Sequence, residues 1–203
     1  MQFETWLVFL LASIGLSLSP GPNGLLALTH GAIHGTRQTS YTILGGAVGF
    51  IAIIALCMFG IGALIKASVV WLTILKWVGG LYLIWLGIQV WRSPAIAITT
   101  LSKPAHTKGR ALFLQGLLSA GTNPKGLLFF SAFLPQFIDP HRSLFEQFVV
   151  VAATFAATET LTEYGLAGAA HRVRPWLARV GKRFNQACGG LFIAIGAVLP
   201  LRT

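Results

Sequence analysis

The chain is short of charge, and of negative charge above all. Of its 203 residues only 10% are charged, fifteen basic and five acidic, where a soluble globular chain carries roughly 25%. So few charges cannot dress a surface in water, which excludes a soluble globule. With 55% hydrophobic residues and a mean hydropathy of +0.74, disorder, collagen-like and coiled-coil chains are excluded as well. Cysteine is scarce too: Cys57 and Cys188 stand singly inside apolar runs, with no CxxC and no metal-ligand spacing around them. They form neither a disulfide framework nor a redox centre and are read as small apolar fillers. No phosphate loop, nucleophile elbow or haem motif is present, so no cofactor is expected and the chain is not read as an enzyme.

What the chain has is long apolar runs. A helix of about 20 apolar residues crosses the hydrocarbon core of a bilayer, and six runs of that length occur, at 6–29, 41–65, 69–91, 111–138, 144–168 and 184–201. The first follows Glu4 rather than basic residues and is read as a retained span, not a cleaved leader. The expected fold is therefore an all-α integral membrane protein with six transmembrane helices. A net charge of +10 would suggest nucleic acid in a soluble protein. Here the charges lie between the apolar runs, and the partner they meet is membrane lipid. Ten basic residues follow spans one, three and five: Arg37, then Arg92, Lys103, Lys108 and Arg110, then Arg172, Arg174, Arg179, Lys182 and Arg183. The other side has Lys66, Arg142 and Arg202. The positive-inside bias places the first group in the cytoplasm and both termini outside. Trp6, Trp71, Trp77, Trp91 and Trp176 near span ends suit the headgroup level, and Lys76 is expected to snorkel to the outer interface.

The runs fall into two halves, 1–92 and 111–203, joined by a Pro- and Lys-containing linker at 93–110 in a single membrane domain. Pro22-Asn23-Gly24-Leu25-Leu26 resembles Pro124-Lys125-Gly126-Leu127-Leu128, and Gly79-Gly80-Leu81-Tyr82-Leu83-Ile84 resembles Gly189-Gly190-Leu191-Phe192-Ile193-Ala194. With three spans per half, the second half enters the membrane from the opposite face, giving two inverted three-helix repeats. Gly45, Gly46, Gly49 and the two Gly-Gly pairs are read as points of close helix approach.

Two segments break their spans. Ser19-Pro20-Gly21-Pro22-Asn23 removes backbone donors inside span one, and Thr122-Asn123-Pro124-Lys125 does so at the matching place in span four. Kinks that only shape packing are one reading. Matched breaks around a substrate site are the other, because a half-helix starting after each break presents free N–H groups and a positive dipole end to a carboxylate. Ser19, Asn23, Thr122 and Asn123 can cap those ends or bond a ligand. Lys125 sits deep in span four and needs a partner or water. Glu159 and Glu163 share one face of span five. They are candidates to neutralise Lys125, exchange a proton or hold a substrate ammonium. The alternative for Glu163 is a wet position paired with the basic cluster that begins at Arg172. His30 and His34, four apart, have a spacing that two imidazoles can use on one metal, but no acid or cysteine accompanies them locally, and interfacial histidines are the preferred reading.

With Ser19-Pro20-Gly21-Pro22-Asn23 in span one, Leu75-Lys76-Trp77-Val78-Gly79-Gly80-Leu81-Tyr82-Leu83-Ile84-Trp85-Leu86-Gly87 in span three and Asn123-Pro124-Lys125 in span four, the chain resembles the LysE/RhtB family of amino-acid exporters over essentially its whole length. The resemblance implies export of amino acids or close derivatives from a bacterial cytoplasm across the inner membrane, driven by the proton gradient. The substrate site is then expected at Ser19, Pro20, Gly21, Pro22, Asn23, Asn123, Pro124 and Lys125. Coupling by Glu159 and Glu163 rests on their local physics alone. A metal-ion exporter using His30 and His34, a thiol oxidoreductase using Cys57 and Cys188, and a non-transporting scaffold are the competing classes, and a homo-oligomer stays open.

Overall fold

The computed structural model describes residues 1–19, 21–67, 69–92 and 107–198. Pro20, residues 93–106 of the expected linker and Arg202 lie outside the described residues. So do the side chains of Lys66, Trp71, Lys76, Pro124, Arg172, Arg174, Trp176, Arg179 and Cys188. Every regular element among the described residues is helical.

The first apolar run is two helices. α1 (Phe3–Leu18) stops, and α2 (Pro22–His34) restarts at an angle of 55°. The chain restarts there because Pro22 occupies the first helical position, where a missing N–H costs nothing, behind an extended Gly21. α2 ends at Gly35, whose φ of 76° is a conformation that side chains resist, and α3 (Thr36–Ala67) follows at once, then α4 (Val69–Arg92). The fourth run is split in the same way. α5 (Gly109–Gly121) gives way to α6 (Pro124–Phe133), with proline again leading and the Asn123 side chain accepting from the Lys125 N–H at 3.0 Å. A 3₁₀ turn at Leu134–Gln136 leads to α7 (Leu144–Gly168), which is opened by Ser143 accepting from the Glu146 N–H at 3.3 Å.

The last element, α8 (Ala170–Val198), begins well before the expected sixth span. Its N-terminal part is the basic stretch read from sequence as a connection. Arg, Ala, Leu and Lys, all good helix formers, outnumber Pro175 and Gly181 there, so the charged stretch continues the apolar helix. Among the described residues, each of the six apolar runs is thus largely helical. Among the described residues α3 and α7 are long and apolar enough to cross a membrane, and the bent pair α1–α2 is a third crossing if taken as one span.

Packing follows glycine and phenylalanine. α3 and α5 touch backbone to backbone: a Cβ at Gly45 would strike the Phe113 carbonyl, and one at Gly116 the Thr42 carbonyl. Gly87 on α4 and Gly189 on α8 likewise face each other's carbonyl oxygens. Between α1, α3, α6 and α7 lies an aromatic core in which Phe130 and Phe155 meet edge to face at 4.8 Å and Phe9 meets Phe137 at 5.4 Å. The outward faces are apolar: Leu56, Leu81, Leu118, Phe145 and Leu161 are each more than 60% exposed, as a lipid-facing surface requires. The pair α1–α2 runs alongside α7, pinned by the Trp6 indole N–H donating to Thr154 Oγ1 at 3.1 Å and by Gly31 against the Ala167 backbone.

Candidate functional site

The two breaks meet in space. Gly21 lies directly beneath the end of the Lys125 side chain, and a Cβ there would stand 2.8 Å from Nζ. Lys125 Nζ donates to the carbonyls of Leu16 at 2.9 Å and Ser19 at 2.8 Å. These carbonyls lie at the C-terminal end of α1, where the helix stops and the next residues include Pro20 and Pro22, which carry no N–H to offer them. The ammonium therefore caps the negative end of one half-helix while its own backbone N–H is capped at the positive end of another. Sequence reasoning anticipated a partner for Lys125 and named a carboxylate. Two backbone carbonyls hold it, and both of those carboxylates, Glu159 and Glu163, lie within electrostatic range of it.

α7 supplies the acids. Glu159 and Glu163 are both buried, at 6% and 2% exposure, so the wet position considered for Glu163 is replaced by an interior one. Glu163 accepts a hydrogen bond from Asn23 Nδ2. Since an amide can offer a carboxylate only its NH₂ group, this fixes Asn23 Oδ1 as a free acceptor, and that atom is buried without a partner. Gly46 of α3 makes the arrangement feasible: a Cβ there would stand 2.6 Å from Asn23 Nδ2. Glu159 sits against Glu163 and against Ser17. The hydroxyls of Ser13 and Ser19 are buried without a hydrogen-bond partner, whereas that of Ser17 lies beside the Glu159 carboxyl.

Ser19, Gly21, Asn23, Lys125, Glu159 and Glu163 are thus drawn together, with Pro22 and Asn123 shaping the two helix starts beside them; of Pro124 only the backbone is described. Thr122 is not in the group: it is exposed and its hydroxyl donates back to the Leu118 carbonyl at 2.7 Å. Gly46 was read as a point of close helix approach without its tie to Asn23, and Ser13 and Ser17 were missed in the sequence, although the serines have the same i,i+4 signature as the two glutamates. His30 is buried and its Nδ1 lies 2.7 Å from Thr42 Oγ1, with the His34 ring 5.5 Å away. Among the described residues no group of three or more His, Cys, Asp or Glu side chains is placed to hold a metal ion.

One ammonium, two carboxyls, an amide oxygen without a partner and buried hydroxyls gather where the two helix breaks meet α7, a set of groups complementary in charge and hydrogen bonding to a small zwitterion. The family model for the LysE type translocator matches residues 14–203. The chain belongs to that family. A LysE type translocator relative, the homoserine/homoserine lactone efflux protein of Salmonella typhi, is 38% identical over 202 residues, 98% of this chain and 97% of that protein. An uncharacterized membrane protein of Vibrio cholerae serotype O1 is 34% identical over 203 residues, 98% of each chain. The leucine efflux protein of Klebsiella pneumoniae subsp. pneumoniae is 29% identical over 134 residues, 66% of this chain and 63% of that one. No solved structure matches this translocator.

Proposed function

We propose that the protein exports small amino acids or close derivatives from a bacterial cytoplasm across the inner membrane, by alternating access and without covalent chemistry. The observation that carries this reading is the joining of the two breaks to α7 through Lys125, Asn23 and Glu163. It is supported by family membership and by the export functions for which the relatives are named.

The chemistry divides by charge. The substrate ammonium takes Glu159, Glu163 and Asn23 Oδ1, the acceptors on the α7 side. The substrate carboxylate takes the first N–H groups of α2, which have no intrahelical acceptor, the Ser19 hydroxyl and Lys125. To reach the carboxylate, Lys125 exchanges a carbonyl of α1 for it, so substrate binding loosens the cap of a half-helix. That exchange couples occupancy to the angle between α1 and α2. Two carboxyls face one ammonium, and a single proton shared by the pair leaves the site balanced. Release of that proton to one side and uptake from the other ties export to the proton gradient. Six spans in two inverted halves, 1–92 and 111–203, joined at 93–110, with both termini in the periplasm, complete the proposal.

The test is efflux from preloaded cells or everted vesicles against a panel of labelled amino acids, with and without an uncoupler. Accelerated, uncoupler-sensitive efflux of at least one amino acid in expressing cells is the expected result. Efflux equal to that of cells lacking the protein across the whole panel overturns the reading.

A further inference from the structure

The starts of α3 and α5 lie side by side. Gly109 packs on the Tyr41 ring, Gly45 meets the Phe113 carbonyl and Gly49 meets Ala120, so the contacts advance together along both helices, which run in the same direction. Their positive dipole ends therefore share one corner. Each also begins with cations: Arg37 stands in the first turn of α3, Lys108 at the N-cap of α5 and Arg110 in its first turn, all exposed. Helix dipoles favour the opposite sign at these positions. Neither first turn holds an acid, and no side chain caps α5. The chain's five acids are placed elsewhere. Glu159 and Glu163 belong to the site, and Asp139 pairs with Arg142 at 3.3 Å. Glu146 opens α7, whose opposite end abuts Thr36, and Glu4 is on the turn of α1 that Trp6 ties to Thr154.

Two cavities follow the outer face of this helix pair. A pocket of about 490 Å³ at the start of α3 is lined by Arg37, Gln38, Ser40, Tyr41 and Leu44. Ser40 donates backward to the Thr36 carbonyl at 3.2 Å, so the donors facing a ligand are the Arg37 guanidinium, the Gln38 amide and the Tyr41 hydroxyl. Farther along, where α5 gives way to α6, lies an apolar groove of about 350 Å³ whose walls include Ala52, Leu56, Leu118 and Gly121. Tyr41, Leu44, Val48, Ala52 and Leu56 are all exposed and three or four residues apart, so they form one stripe that joins pocket to groove. From Tyr41 to Ala52 the helix rises about 16 Å, half of the roughly 30 Å hydrocarbon core. A cationic pocket joined by an apolar stripe to a groove one leaflet deeper has the outline of a lipid, head and chain.

We propose that this α3–α5 face binds one anionic phospholipid. Its phosphate sits in the pocket of Arg37, Gln38 and Tyr41, with Lys108 and Arg110 of α5 beside it, and one acyl chain lies along Leu44 and Val48 into the groove at Ala52. The planar guanidinium fork matches phosphate oxygens, and the added negative charge relieves the cations held at two positive helix ends. Because α3 and α5 come from different halves of the chain, the lipid bridges the halves. The site is independent of the transported substrate; only its assignment to the cytoplasmic leaflet rests on the topology proposed above.

Lipid binding to the purified protein in detergent is titrated by native mass spectrometry. The probes are palmitoyl-oleoyl phosphatidylglycerol and the phosphatidylcholine with the same chains, which keeps the phosphate but has no net charge. Wild type is compared with Arg37→Gln, Arg37→Gln/Arg110→Gln and Ala52→Phe, all at exposed positions. Arg142→Gln, which removes a cation paired with Asp139, is the control. Expected is one phosphatidylglycerol bound at least about tenfold more tightly than phosphatidylcholine, with affinity falling about fivefold for each arginine of the pocket removed and unchanged in Arg142→Gln. Ala52→Phe, which fills the groove, should weaken both lipids, and glycerol phosphate at the same concentration should displace neither. Equal affinity for the two lipids, or phosphatidylglycerol binding unchanged in the double arginine variant, overturns the site. Displacement of the lipid by glycerol phosphate, or binding that Ala52→Phe leaves unchanged, makes the pocket one for a free phosphate ester and overturns the lipid.

Discussion

At the scale of single residues the site is held by contacts between distant parts of the chain, and its behaviour under mutation should reflect sharing. Asn23 and Glu163 form one buried pair. Asn23→Ala leaves Glu163 without its donor, and Glu163→Gln removes the charge that Asn23 serves, so each is expected to lower export at least about tenfold, the cost of one charge-assisted bond. The double variant should lose much less than the product of the two, because the second change removes nothing that remains. Initial efflux rates in the four combinations measure this, and independent, multiplicative losses would mean that the pair does not act together. Gly46→Ala reaches the same pair from α3, since its Cβ would displace the Asn23 amide, and should resemble Asn23→Ala. The residue types of this cluster were legible in the sequence, and so was the shared face of Glu159 and Glu163. Their partners were not. Asn23 and Glu163 are 140 residues apart, and no periodicity links a proline break in one helix to the middle of another. Lys125 illustrates the point: charge matching nominates the carboxylates that lie near it, but the carbonyl acceptors at the end of α1 are placed within its reach only by the folded backbone.

At the scale of elements, helix breaks were readable because Pro22 and Pro124 act through covalent structure, which tertiary context cannot undo. Helix boundaries set by packing were harder to read: the basic stretch before the sixth span carried no stop signal strong enough to separate it from α8, and its charges disguised a helix as a loop. The contact between α3 and α5 yields a prediction of stability rather than activity. Gly116→Ala places a methyl group on the Thr42 carbonyl, which the helices can relieve only by separating. Overpacking of this kind costs about 1 to 3 kcal/mol or more. Gly60, whose surroundings are open, provides the contrast: Gly60→Ala should be neutral or stabilising by up to about 1 kcal/mol through helix propensity. Thermal aggregation midpoints of detergent-solubilised protein should fall for the first and hold or rise for the second. Equal midpoints would remove the backbone contact from the forces that hold α3 to α5. A comparable change at His30 should be mild in transport terms: Nδ1 is engaged with Thr42, so His30→Gln, which keeps a hydrogen-bonding tip, should retain amino-acid efflux without any dependence on added divalent metal.

At the scale of the whole molecule the proposed topology follows from two independent properties of the chain. Three apolar runs per half are an odd number, so in the proposed topology the halves enter from opposite faces, and it must accommodate the matched breaks at Gly21-Pro22 and Asn123-Pro124 lying together, with Lys125 over Gly21. Charge then decides which face is which. The ten basic residues after spans one, three and five, against three on the other side, favour retention of the first group in the cytoplasm. The field of the membrane also acts on them in that position, since anionic headgroups of the inner leaflet attract Lys and Arg by about 1 kcal/mol each. A phosphatase reporter active only in the periplasm is therefore expected to be active when fused after Thr203 and silent when inserted at residue 100, and a reporter fluorescent only in the cytoplasm should give the reverse. Cytoplasmic fluorescence at both sites would mean an odd number of crossings in the second half is wrong. One of its helical segments would then be re-entrant, and the second half would cross the membrane an even number of times, so it could not be a three-span inverted copy of the first.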